Sequence, residues 1–152
     1  GMSFIDMAYL KKSDLKNGTI TYRRRKTGQQ LTVKWEKCME DIIAKYRENT
    51  ATRYLLPIIT NPCSDERTQY RNAICRINVA LKEVVGLAGL NIPLTMHVAR
   101  HCWASVAKSK NIPLSVISEG MGHDSEETTR IYLASLDTSV VDKANSLILK
   151  DF

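Results

Sequence analysis

Cysteine is scarce and scattered in this chain: Cys38, Cys63, Cys75 and Cys102 are its only four, and no two form a CxxC pair. Such spacing builds no zinc knuckle, so four reduced thiols, buried as small apolar side chains and binding no metal, are the expected state. Long hydrophobic runs are lacking too. No stretch approaches the about 18 apolar residues that a membrane helix needs, and no secretory leader pattern is visible, so no membrane partner is expected and the cytoplasm is the expected location. Repeats and low-complexity tracts are also missing. Acidic residues are in deficit, 16 Asp and Glu against 22 Lys and Arg, for a net charge of +6. The excess favours a polyanionic partner, although many basic domains bind no nucleic acid and the placement of the charges matters more than their sum. At 152 residues the chain can bury one sizeable core, and a single domain over 1–152 is the expected organisation.

What is present reads as mainly α with a small antiparallel β-sheet, an α+β class with short connections. Residues 2–10 are mostly apolar and suit a short helix. Asn17-Gly18 makes a turn, after which 19–25 and 30–35 are β-rich runs joined at Lys26-Thr27-Gly28, a basic hairpin. Over 36–48, Met39, Ile42, Ile43 and Tyr46 recur at helical spacing, and Leu55-Leu56-Pro57 reads as extended. Ser64 is the expected cap of the longest helix, with Asp65 and Glu66 at its positive end. Its apolar stripe is Tyr70, Ile74, Ile77, Leu81 and Val84, and it stops at Gly86. Thr95 can cap a helix reaching Lys108, Pro113 opens a short one, and a further turn or two starts at Ser125 or Glu126 and reaches Tyr132. An amphipathic segment over 139–149 closes the chain.

Advancing about 100° per residue, the helix after Thr95 gathers His97, Arg100, His101, Ala104 and Lys108 in one sector, with Val98, Ala99, Cys102, Trp103 and Val106 opposite. The apolar side is expected to dock on the core. That would leave an arginine flanked by two histidines on an open surface, suited to gripping and protonating a phosphodiester. Histidines at i and i+4 can also bind zinc, but a metalloprotease helix carries Glu after the first His, where this chain has Val98. A basic face solvated by water is the other reading of HxxRH taken alone. Downstream come Met121-Gly122-His123, Thr128 and Tyr132. In isolation Tyr132 reads as an ordinary core or surface aromatic.

Taken together, HxxRH, a Gly-His turn and a tyrosine in this order and spacing resemble the tyrosine recombinases of the phage integrase family, whose terminal motif reads LGHxxxxTxxxY or a near variant. Met121 replaces the Leu and Thr128 holds the threonine place; the similarity runs on through Ala134-Ser135-Leu136 and, with the hairpin, covers most of the chain. The resemblance implies the recombinase catalytic-domain fold and site-specific DNA recombination or integration, as in bacterial mobile elements. It implies that Tyr132 attacks a phosphate of double-stranded DNA, forming a 3′-phosphotyrosyl link and freeing a 5′-hydroxyl, with no metal and no cofactor. A phenol with an ordinary pKa of about 10 is a poor nucleophile at neutral pH, so such a site needs a base and charge neutralisation. In the roles the resemblance assigns, Arg100 is a bidentate cation for the nonbridging oxygens and His97 the proton acceptor from Tyr132. His123 donates a hydrogen bond to the transition state, and His101 assists. The family uses a hairpin lysine to protonate the departing 5′-oxygen, and Lys26 stands at the matching place. Neighbouring Arg23, Arg24 and Arg25 would disfavour its charged form, or else all four residues contact phosphates and set affinity, with Lys108 as a further DNA contact.

The family's second catalytic arginine, which precedes the hairpin near the start of a helix, is not found. Residues 1–7 resemble the stretch that follows it, which puts it just before position 1; if Gly1 and Met2 are foreign to the native chain, the gap is the same. Asp6 is the candidate acidic support for the active-site arginine or histidine. Losing one guanidinium contact commonly costs on the order of 10²-fold, so the parent protein is expected to be the enzyme and this polypeptide to be inactive. The family's upstream DNA-binding domain is likewise absent, and DNA binding is expected to be weak and salt dependent. Two other readings stay open: a DNA-binding module that does not cleave, and a type IB topoisomerase, which the integrase-like terminal motif weighs against. The closing segment carries Val140, Ala144, Leu147 and Ile148 on one stripe and either packs on its own domain or docks on a neighbour within a DNA-bound tetramer.

Overall fold

Two small hydrophobic cores, one under a hairpin and one among short helices, organise the computed structural model, which describes residues 1–46, 50–91 and 93–134. The described elements run α1 (Phe4–Ala8), β1 (Leu15–Lys16), β2 (Thr19–Arg23), β3 (Gln30–Lys34), α2 (Lys37–Ile43), α3 (Glu66–Leu87), α4 (Met96–Ser109), α5 (Leu114–Met121) and α6 (Glu126–Ala134). The mainly helical fold with a small antiparallel sheet is the expected one. A short third strand, β1, joins it, because Asn17 (φ 49°) and Gly18 (φ 71°) both adopt the left-handed conformation that closes a two-residue hairpin.

The sheet order is β1-β2-β3, and β2 pairs with β3 from Thr19↔Lys34 to Arg23↔Gln30. The ladder is shorter than the expected runs of 19–25 and 30–35, since the chain turns over 24–29. There the Arg24 N–H donates to the Gln29 carbonyl and the Gly28 N–H to the Arg24 carbonyl, each at 2.8 Å. Strand pleating buries Ile20, Tyr22 and Leu31 with Leu10 as the first core. Ala104, Ile117, Met121 and Leu133 form the second.

Several expectations are corrected. The cap of α3 is Asp65 rather than Ser64: its carboxylate accepts from the Thr68 N–H at 2.6 Å, the stronger acceptor at the positive helix end, while Ser64 bonds to Asn61. α2 stops at Ile43 and turns through Tyr46; 47–49 and the closing segment 139–149 lie outside the described residues. All four cysteines are exposed, not buried, on outward helix faces and a loop. The largest reversal concerns α4. Its inward row is Arg100 and Ala104, whereas Trp103 and Val106 are 41% and 47% exposed. Ala104 is small enough to let α4 approach α5 and α6 closely, and the Met121 carbonyl at the α5 end accepts from Arg100, so the middle of the polar sector faces into the molecule while His97 and Lys108 at its two ends stay exposed. Among the described residues no helix is long and apolar enough to cross a membrane.

Candidate active site

The seam between the two cores is where the predicted site residues meet. α5 ends at Met121 and is capped by Gly122, which is left-handed (φ 60°) and buried. Glycine is required there twice over. Its φ disfavours any side chain, and a methyl group would collide with Cδ of Arg24 and come within 2.9 Å of Leu31 Cδ1. This turn presents two consecutive carbonyls to two arginines. Arg100 Nη2 donates to the Met121 carbonyl at 2.5 Å, and Arg24 Nη1 donates to the Gly122 carbonyl. Arg100 Nη1 also donates to the Gly1 carbonyl.

His123 follows the turn. Its Nδ1 lies 2.8 Å from Thr129 Oγ1 and its Nε2 lies 3.4 Å from Arg100 Nη2. Because a guanidinium only donates, the network assigns the proton to Nδ1 and leaves the Nε2 lone pair facing Arg100. Burial first, then the charges of Arg100, Arg24 and Lys26, hold His123 below the ordinary histidine range, which favours this neutral form. Thr129, fully buried, therefore orients the ring, while Thr128 bonds to Ser125 at the start of α6. Sequence reading singled out Thr128 and missed Thr129. The available signal was the i, i+4 spacing of Thr129 and Leu133, both inward on α6.

Tyr132 sits among all three histidines. His101 stacks face to face on its ring, with centroids 3.7 Å apart and planes 1° from parallel; His123 and His97 meet it edge-on at 5.5 and 6.0 Å. His101 Nε2 and His97 Nε2 are 3.0 Å apart and share one hydrogen. His101 is thus nearer the phenol than His97, and burial, His97 and Arg100 push it below its usual range. The Tyr132 hydroxyl oxygen is buried, and that burial raises its pKa while Arg100 pulls it down.

The hairpin residues divide. Lys26 lies exposed in the 24–29 turn, near enough for its charge to act on His123. Arg23 is exposed and donates to the Gly28 carbonyl; Arg25 is exposed with its guanidinium 3.7 Å from the Tyr9 ring centroid. Arg24 is only 7% exposed and points inward, so the expected phosphate contact is corrected to a buried one with Asp6 and Gly122. The signal was there: Ile20, Tyr22 and Arg24 share one strand face, and 23 and 25 share the other. Asp6, 3% exposed, spends its oxygens on Arg24 Nε at 3.5 Å, the Arg25 N–H at 2.9 Å and the Ser3 hydroxyl at 2.5 Å. It braces the hairpin directly, rather than Arg100 or a histidine. Lys108 is exposed and reaches the Leu133 carbonyl at 3.5 Å, tying α4 to α6.

A seam with two buried arginines, three histidines and a tyrosine in a helical α+β domain defines a class, and comparison with known proteins defines it further. The phage integrase family profile matches residues 3–139. This chain belongs to the phage integrase family, the tyrosine recombinases. Among solved structures it is similar to XerA recombinase, with a TM-score of 0.66, 21% identity, and coverage of 95% of this chain and 52% of that one. It is similar to XerH site-specific recombinase in a post-cleavage complex with palindromic difH substrate, at TM-score 0.64 and 21% identity, covering 93% of this chain and 40% of that one. The catalytic domain of bacteriophage HP1 integrase matches at TM-score 0.52 and 22% identity, covering 95% and 73% of the two chains. At such identities the likeness establishes the fold, that of recombinase catalytic domains. The chain spans about half the length of XerA and less of XerH. No curated protein matches it in sequence.

Proposed function

We propose that this domain breaks and rejoins duplex DNA in site-specific recombination, with Tyr132 as the nucleophile. The observation that carries the reading is the enclosure of Tyr132 by His97, His101 and His123 beside the buried Arg100. The phenolic oxygen attacks phosphorus as the bond from phosphorus to the 5′-oxygen breaks, leaving a 3′-phosphotyrosyl link and a 5′-hydroxyl. The phenol proton passes to the His97–His101 pair, and Lys26 protonates the departing oxygen. Arg100 neutralises the nonbridging oxygens. A bound phosphate raises the pKa of His123, so that the ring gains a proton at Nε2 and donates it as a hydrogen bond to the pentacoordinate state.

Burial of Arg100 and of the phenol keeps water away from the developing charge, where each donor acts more strongly than on an open surface. An arginine joined directly upstream of Gly1 would supply the second clamp on the phosphate. The phosphate ligands on the outside are Arg23, Arg25 and Lys26 of the hairpin and Lys108 of α4, and the full-length protein assembles on DNA as a tetramer.

The test is covalent trapping on a nicked duplex whose cleaved strand diffuses away, using protein with its native upstream sequence. A denaturation-resistant adduct that disappears in Tyr132→Phe is expected. Binding without any adduct would refute the reading in favour of a DNA-binding domain that does not cleave, and relaxation of supercoils without joining of two duplexes would point to a topoisomerase.

A further inference from the structure

We propose that Arg24 is a positioning residue: through a buried clip of Asp6, Arg24 and Gly122, it locks the peptide that carries His123 and couples the Lys26 hairpin to that histidine. The inference deepens the recombinase reading and rests on it for its catalytic consequence. Its structural part stands alone.

The peptide between Gly122 and His123 is held at both ends. Its carbonyl accepts from Arg24 Nη1, and its N–H donates to the Ser118 carbonyl at 3.0 Å. The preceding carbonyl, of Met121, accepts from Arg100. Two arginines, one from the hairpin turn and one from α4, thereby set the plane from which the His123 ring projects, and Thr129 then fixes the ring's rotation. Arg24 reaches this point because Gly122 has no side chain: any Cβ there would occupy the space of the Arg24 stem. Asp6 holds the other edge of the guanidinium and, by accepting from the Arg25 N–H, also holds the strand end from which Lys26 projects. One carboxylate therefore ties the two halves of the proposed chemistry, the lysine turn and the histidine turn, to one guanidinium.

A phosphate ligand would have to be open to DNA, and Arg24 is not, being 7% exposed with its donors turned inward. A residue that served stability alone would need no link to one catalytic peptide rather than another. The two roles differ in what they change, which makes the assignment testable.

In the DNA-free protein, amide hydrogen exchange at His123 should accelerate at least ~10-fold in Arg24→Met and in Arg24→Lys, while amides in the middle of α4 keep their protection. In protein with its native upstream sequence, both variants should bind duplex DNA with an unchanged salt slope and lose roughly 30-fold in single-turnover cleavage at saturating DNA. In a His123→Ala background the same substitutions should cost less than about 3-fold, because Arg24 acts through His123. Unchanged exchange at His123 would overturn the proposal, as would a salt slope lowered by about one with cleavage intact, or losses that multiply in the His123→Ala background. Should Arg24→Met not fold, Arg24→Lys, which keeps the charge beside Asp6, decides. If wild-type protein forms no adduct, the recombinase reading falls, and the exchange measurement alone still judges whether Arg24 sets the His123 peptide.

Discussion

Replacing Gly122 by Ala adds one methyl group at the most crowded backbone position of the site, and its effect can be worked out term by term. The left-handed conformation at φ 60° costs an L-residue roughly 1–2 kcal/mol relative to glycine. The methyl also meets Arg24 Cδ and Leu31 Cδ1 at less than van der Waals distance, and overpacking of this kind adds about 1–3 kcal/mol as the hairpin and the α5 end are pushed apart. A stiffer unfolded chain returns about 0.4–1 kcal/mol. The net loss is about 1–4.5 kcal/mol, or roughly 2–18 °C in Tm for a domain of this size. Gly18→Ala is the control. It has φ 71° and nothing within 4 Å of its Cβ position, so it carries the backbone penalty and the unfolded-state gain without the collision. The difference between the two variants, about 1–3 kcal/mol by urea or thermal unfolding, isolates the close approach of Arg24 to Gly122. Equal losses for the two glycines would refute the claim that the two cores are clasped at this point.

Three further outcomes follow from the same geometry. Asp6→Ala leaves the Arg24 guanidinium buried beside an empty site and should destabilise the protein by about 3 kcal/mol, with a smaller loss in the Asp6→Ala, Arg24→Met double variant than the two singles predict; additive losses in denaturant titrations would argue against the clip. His123 and His101 are both held below the ordinary histidine value of about 6.5, so between their folded values and 6.5 the unfolded chain binds more protons. Stability is therefore complete above about pH 6.5 and is lost on acidification from there towards the folded values, and His123→Gln should flatten that slope; a slope that the substitution leaves untouched would exclude His123 as its source. Arg23→Ala and Lys26→Ala should each reduce the salt slope of DNA binding by about one, and an unchanged slope in either variant would remove that residue from the phosphate contacts.

The legible part of the site was what spacing along one element controls. HxxRH places an arginine and two histidines in one helical sector, Gly122 marks the left-handed end of α5, and Asn17-Gly18 closes a hairpin; all three follow from local backbone geometry. Fold class was legible for the same reason, since helical and strand periods differ and the hairpin is bounded by turn residues. The bounds of β2, β3 and α2 and the cap of α3 were less so, because chain ends are decided by competing hydrogen bonds of similar strength.

Sequence alone determined the inventory: a tyrosine, three histidines, an arginine and a hairpin lysine, in an order that marks the family. Tertiary structure decided which way they face. Side-chain class predicts that Arg and His point to water, yet Arg100 is buried and His101 half-buried while His97 stays exposed, because Ala104 permits a close helix contact and the Met121 carbonyl compensates the Arg100 charge. The same rule decides Arg24, which a row of four basic residues hides and which only an opposing carbonyl and carboxylate can bury. Whether a charge goes in depends on partners distant in sequence, Met121 and Gly122 for the two arginines, and those partners come within reach only once the chain has folded.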